Sequence, residues 1–299
     1  MNTPKRILVR GNNWLGDAVM SLPTIDALRG MFPEARVDVL TRPELAELYG
    51  AAAVSRADNG YDAALILPRS FRSAWEIYRA RIPRRIGYAS FGRTVLLTDS
   101  LLRTGDVLKI HRVRYFYRLL TLLGDAPEVR PPTLEVPEAA RAWAAEQMPG
   151  ERWVCVNAGA TYGTAKQWLP DRFAALSRRL IEEAGYRVAL VGQERIDGIP
   201  ATRDFFGRTG LMQLAAVLQR AALLVTNDTG PMHVADAVGT RVVAIFGPTD
   251  PATTAPFRPQ RIVRRPIECA PCLERTCPLG HHRCMTEISV DDVFAACVA

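Results

Sequence analysis

Two spacings of hydrophobic residues alternate along the chain. Short apolar runs fall at residues 6–10, 37–41, 63–67 and, more polar, 85–88, then again at 153–157, 187–191, 223–226 and 242–246. Runs of this length bounded by turn residues predict buried strands. Between them, apolar positions three and four apart predict helices over 17–31, 70–81, 113–123, 138–147, 171–184, 211–220 and 232–238. Strands alternating with helices predict doubly wound α/β layers. The proline-rich stretch 126–137 and the Pro149-Gly150 pair interrupt the pattern, and Trp153 opens a fresh series. The expectation is two domains, 1–149 and 150–299, with strand ends from both facing a central cleft.

Three strand-to-helix loops carry candidate chemistry. In Val225-Thr226-Asn227-Asp228-Thr229-Gly230-Pro231-Met232-His233 an apolar run enters a polar turn and a new helix, with Pro231 suited to its first turn and Thr229 or Asp228 to its cap. Free N–H groups and the positive end of the helix dipole at the carboxyl end of a strand suit an anion. The plainer alternative is a well-capped loop without a ligand. In Ile7-Leu8-Val9-Arg10-Gly11-Asn12-Asn13-Trp14-Leu15-Gly16-Asp17 the glycine spacing echoes a phosphate-binding loop, yet Asp17 stands where such a loop needs lysine. A carboxylate there repels phosphate and suits a neutral hydroxyl, or simply caps a helix. The third loop follows Val154-Cys155-Val156-Asn157 and runs Ala158-Gly159-Ala160-Thr161-Tyr162-Gly163-Thr164-Ala165-Lys166-Gln167-Trp168. Lys166 is one of three lysines in the chain, and a compact ammonium on a Gly/Thr loop suits a diphosphate as well as plain solvent.

Composition narrows the class. At 299 residues with 48% hydrophobic and 23% charged positions, the chain is expected to be a globular protein of two cores that stays in the cytoplasm, without signal peptide or membrane span. Net charge is +7, but residues 69–118 alone carry twelve Arg or Lys against three acids. That field suits an anionic glycolipid or membrane surface; nucleic acid is not expected, because no matching motif accompanies the charge. Five of six cysteines follow residue 268. Cys269, Cys272, Cys277 and Cys284, with His281 or His282 able to replace one, have the grammar of a structural zinc site; the alternative is reduced thiols packing a loop.

Taken together, Leu15-Gly16-Asp17, the loop 157–168, the run 227–233 and Phe246-Gly247-Pro248-Thr249-Asp250-Pro251 resemble the heptosyltransferases of glycosyltransferase family 9. The resemblance covers nearly the whole chain, with the motifs in matching order and separation. It implies a GT-B fold of two Rossmann-like domains, an N-terminal one for the acceptor and a C-terminal one for the nucleotide sugar. It also implies an ADP-heptose donor, inversion at the anomeric carbon, and an anionic lipopolysaccharide-precursor acceptor met at the inner face of the inner membrane. Asp17 is then the general base and Lys166 holds the donor diphosphate, with Thr161, Asp228, Thr229, Gly230 and His233 lining the donor site. Glu194 or Asp197 would hold ribose or sugar hydroxyls. No cofactor is required for such transfer, and the resemblance gives the C-terminal cysteines no chemistry. Rival readings are a transferase of the same fold with another donor, and a non-catalytic nucleotide-sugar-binding protein.

Overall fold

The computed structural model describes residues 3–90, 92–161 and 163–299. The chain divides into two compact units, Met1–Pro132 and Thr133–Ala299. In the first unit the strands are β1 (Arg6–Arg10), β2 (Arg36–Leu40), β3 (Ala53–Val54), β4 (Ala63–Ile66), β5 (Arg84–Tyr88) and β6 (Asp99–Leu101). Its helices are α1 (Leu15–Met20), α2 (Leu22–Met31), α3 (Phe71–Arg79), α4 (Gly105–Lys109) and α5 (Arg112–Tyr117). The second unit holds strands β7 (Trp153–Asn157), β8 (Arg187–Leu190), β9 (Arg203–Asp204), β10 (Leu223–Asn227), β11 (Arg241–Ile245) and β12 (Arg261–Val263). Its helices are α6 (Glu138–Gln147), α7 (Pro170–Glu182), α8 (Leu211–Arg220), α9 (Gly230–Ala237), α10 (Pro251–Thr254), α11 (Arg283–Thr286) and α12 (Val290–Val298).

Each unit is a six-stranded sheet, ordered β3-β2-β1-β4-β5-β6 and β12-β11-β10-β7-β8-β9, and every pairing is parallel. The strand order reverses between β1 and β4 in the first sheet and between β7 and β10 in the second. Ligands of open α/β sheets collect at such switch points, outside the carboxyl ends of the strands. The central strands β7 and β10 are buried along their whole length, as strands covered by helices on both faces must be.

Several expectations shift. The helix predicted over 17–31 is two helices meeting at Ser21, because Pro23 has no N–H to continue the ladder and Ser21 Oγ donates back to the Ala18 carbonyl at 2.7 Å. The helix predicted over 113–123 ends at Tyr117 and continues as the tighter turn Arg118–Leu122. Helix α6, assigned from sequence to the first domain, packs on α8 of the second unit, and Leu134 N donates to the Ala237 carbonyl at 3.1 Å. Residues 48–61 carry only the two-residue edge strand β3 and short tight turns. None of the helices among the described residues is long and apolar enough to cross a membrane.

Candidate active site

At the second switch point, the carboxyl ends of β7 and β10 are tied together by two asparagines. Asn157 Nδ2 donates to Thr226 Oγ1 at 2.9 Å and to Thr229 Oγ1 at 2.7 Å. Asn227 Nδ2 donates to the carbonyls of Ala158 at 2.9 Å and Gly159 at 3.2 Å, while its Oδ1 accepts from the Trp168 N–H at 3.0 Å. Every polar atom of the buried Asn227 amide is thus spent on holding the loop after β7 in place. Trp168 anchors the far end of that loop, its ring fully buried edge-on against Phe173 at 4.9 Å and its Nε1 donating to the Ile288 carbonyl at 3.0 Å.

Lys166 sits in the turn Thr164–Lys166 of this loop, and its Nζ donates to Asp228 Oδ2 at 2.7 Å and to the Asp228 carbonyl at 3.4 Å. Both side chains are largely out of solvent, 13% exposed for Lys166 and 5% for Asp228. The two residues assigned separately to the donor therefore form one ion pair, which Thr254 Oγ1 joins by donating to Asp228 Oδ2 at 3.4 Å. Thr254 ends α10, the short helix that begins at Pro251 of the 246–251 motif.

The helix following β10 begins at Gly230 with Pro231 in its first turn, as the spacing predicts. Its cap differs from expectation: neither Asp228 nor Thr229 caps it through a side chain, because Thr229 Oγ1 is engaged with Asn157 and Thr226 and Asp228 with Lys166. The cap residue thus makes no side-chain bond to the helix start, and the positive end of the dipole there suits an anion. His233 is buried in that first turn. Thr161 lies exposed on the loop after β7, and Tyr162 lies outside the described residues. Of the two acids after β8, Asp197 pairs with Arg195 at 2.8 Å, whereas the Glu194 Cβ lies beside Gly159. Gly192, at φ +129, turns the chain where any side chain would collide with Asn157 Oδ1.

In the first unit, the loop after β1 is clamped by Arg10, which donates to the Gly11 carbonyl at 2.5 Å, to Asn13 Oδ1 at 3.2 Å and to Glu76 of α3 at 2.9 Å. Asn12 Nδ2 folds back to the Asp17 carbonyl at 3.3 Å. Asp17 occupies the first turn of α1 but does not cap it; the cap position is Trp14. The carboxylate is half-buried and faces the field of Arg112, whose guanidinium burial and Arg69 push down in pKa and Asp17 draws back up. Asp17 and Arg69 follow β1 and β4, the two strands that flank the first switch point, and Arg112 opens α5.

The four candidate metal-ligand cysteines line one small cavity of about 20 Å³ together with His281, His282, Ala165 and Pro248. All are free thiols. Cys277 Sγ accepts the His282 N–H at 3.3 Å, and such amides lower its pKa. Burial, then the neighbouring Cys272, Cys269 and Cys277, push Cys284 up to about 11. Among the described residues, no three His, Cys, Asp or Glu side chains are grouped so as to hold a metal ion. This loop buttresses the Lys166 turn: His282 Nε2 contacts the Ala165 carbonyl at 2.8 Å, and Ala165 N donates to the Arg275 carbonyl at 3.0 Å. Gly163, at φ +150, passes so close to that carbonyl that a side chain there has no room. Sequence reasoning missed this support because the cysteine loop is a hundred residues away in the chain.

A model of glycosyltransferase family 9 (heptosyltransferase) matches residues 55–283. The chain belongs to this family. It is 29% identical to lipopolysaccharide heptosyltransferase 2 of Escherichia coli K12, across 97% of this chain and 96% of that one. Among solved structures it is similar to E. coli ADP-heptose lipopolysaccharide heptosyltransferase II, with a TM-score of 0.81, 26% identity, and coverage of 98% and 97% of the two chains. It also shares the fold of E. coli heptosyltransferase WaaC, solved with ADP-2-deoxy-2-fluoro heptose, at a TM-score of 0.73 and 17% identity over 98% of this chain and all of that one. The family-9 chain is thus a glycosyltransferase of the GT-B fold, similar over nearly its whole length to heptosyltransferase II.

Proposed function

We propose that this glycosyltransferase moves heptose from ADP-heptose to the inner core of lipopolysaccharide with inversion. The observation that carries the reading is the pairing of Lys166 with Asp228 beside an uncapped helix start, at the switch point of a second sheet whose near full-length relatives are heptosyltransferases. Inverting transfer needs a base for the acceptor hydroxyl and positive charge for the departing diphosphate. Asp17 serves as the base. Lys166 and the N–H groups after Thr229 take the diphosphate, with Thr161, Asp228, Gly230 and His233 around it and Glu194 toward sugar hydroxyls. Charge stabilisation from these groups leaves no metal required in the chemistry. A panel of nucleotide sugars tests the donor: turnover confined to ADP-heptose supports the reading, and preference for another donor or binding without turnover replaces it with one of the rivals.

Contact with the inner membrane from the cytoplasmic side belongs to the same proposal. Its support is the basic segment 69–118 together with Phe71, Trp75 and Tyr78, which stack along one exposed face of α3 at centroid distances of 6.2 and 5.6 Å. Arginine and stacked aromatics on one helix suit the headgroup region of an anionic leaflet. Structural zinc at Cys269, Cys272, Cys277 and Cys284 is the second reading for the cysteine loop, favoured by four thiols around one cavity and opposed by their arrangement as they stand.

A further inference from the structure

The carboxyl edge of the first sheet holds an unusual set of polar groups. Arg93 follows β5, is 1% exposed, and among the described residues bonds through Nη1 to the Pro68 carbonyl at 2.6 Å. Its Nε and Nη2, like Arg103 Nε, are buried with no hydrogen-bond partner among the described residues, and the buried Tyr115 hydroxyl has only Arg103 beside it. Gly87 supplies the room, since a Cβ there would lie 2.9 Å from Arg93 Nη2. Tyr115 is fixed in place by Tyr88, stacked on it at 4.1 Å with its hydroxyl donating to the Tyr115 carbonyl at 2.6 Å. Arg112 lies over the Tyr115 ring, its guanidinium 5.4 Å from the ring centre. Burial raises the Tyr115 phenol, while Arg103, Arg69 and Arg112 pull it down, so all three guanidiniums share its surroundings.

Every unpartnered group in this set is able to donate, and most carry positive charge. A buried cation with open donors beside other cations is costly unless an anion completes it. Guanidinium forks match the oxygens of a phosphate or carboxylate. The place is also right: Arg69, Arg93 and Arg103 follow successive strands at the edge where parallel sheets bind ligands, and Arg112 is in the field of Asp17.

We propose that Arg93, Arg103 and Tyr115, with Arg69 and Arg112 at the rim, form an anion subsite that seats a phosphate or carboxylate of the acceptor next to Asp17. The inference rests on the acceptor reading above and names the group that the first unit grips. The subsite orients the acceptor; Asp17 does the proton transfer.

The test uses the full chain with its donor and three acceptors: the native anionic one, a dephosphorylated one and a carboxyl-methylated one. Arg103→Gln, at a partly exposed position, should raise KM for the native acceptor roughly 10-fold to 100-fold, the loss of one charge-assisted contact, with kcat and the donor KM nearly unchanged. In the arm that lacks the seated group, this sensitivity should vanish, which tells phosphate from carboxylate. Arg93→Lys and Tyr115→Phe should show the same pattern. Independently of turnover, with saturating ADP filling the donor site, inorganic phosphate should raise the Tm of the parent and not that of Arg103→Gln. Equal KM effects across all three acceptors, or a phosphate-induced rise in Tm that is the same in parent and Arg103→Gln when ADP fills the donor site, overturn the subsite. Absence of heptose transfer with every acceptor would instead count against the proposed function, leaving the phosphate measurement to judge the subsite.

Discussion

Replacing Asp228 by Asn tests the donor site through its own ion pair. Asn preserves the shape and an oxygen for Lys166, but it leaves the ammonium, only 13% exposed, without its counter-charge. Losing a charge-assisted bond costs about 1.5 to 3 kcal/mol, and stranding a buried charge about 3 to 5 kcal/mol. A value near 3 kcal/mol converts to a fall in Tm of roughly 6 to 12 °C for a unit of this size. Saturating ADP should then narrow the gap, because the diphosphate supplies the missing negative charge; at a hundredfold above Kd, binding alone contributes about 2.7 kcal/mol. Differential scanning fluorimetry of parent and variant, with and without ADP, reads both effects. The reasoning fails if the variant melts with the parent, or if its deficit is the same with and without ADP. The second result would mean that Lys166 serves only Asp228 and does not face the diphosphate.

Further expectations concern other parts of the molecule. Asp17→Asn should lower turnover by roughly 10²-fold to 10⁴-fold while leaving calorimetric ADP-heptose affinity nearly intact; near-normal turnover across pH would move the base elsewhere. Phe71→Ser with Trp75→Ser should weaken co-sedimentation with vesicles containing anionic lipid and spare turnover on a deacylated acceptor; unchanged sedimentation would detach α3 from the membrane. Iodoacetamide near pH 8 should label Cys277, whose thiolate the surrounding amides favour, before Cys284 and Cys297, which burial holds up at about 11 and about 12. Equal labelling rates by mass spectrometry would contradict that order. Metal analysis of the purified protein decides the cysteine loop: about one zinc per chain, with a lowered Tm and a raised donor KM on chelation, is the outcome for a structural site buttressing Lys166. Metal-free protein of the same stability returns the loop to thiol packing.

The central strands were legible from sequence because β1, β7 and β10 are apolar runs buried against helices, and a five-residue run is long enough to stand out. Edge strands β3 and β9 are two residues each, and β6 and β12 three, too short to set up any period. The break at Ser21 had its signal in Pro23, but continuous helical spacing on both sides masked it. In the site, small and polar residues after strands marked the right loops. What joins them is long-range: Asn227 meets Ala158 only because β10 lies beside β7, and Lys166 meets Asp228 for the same reason. Arg93 gave no signal at all, since one arginine in a basic segment reads as surface until its burial is seen.

The most direct test of the account is transfer itself. Purified protein is incubated with ADP-heptose and a lipopolysaccharide-precursor acceptor, and the product is examined by mass spectrometry and by NMR of the new anomeric centre. The account predicts one added heptose, stoichiometric ADP release, an anomeric configuration opposite to that of the donor, and loss of all three with Asp17→Asn. Retained configuration, or heptose transfer undiminished in Asp17→Asn, would contradict it.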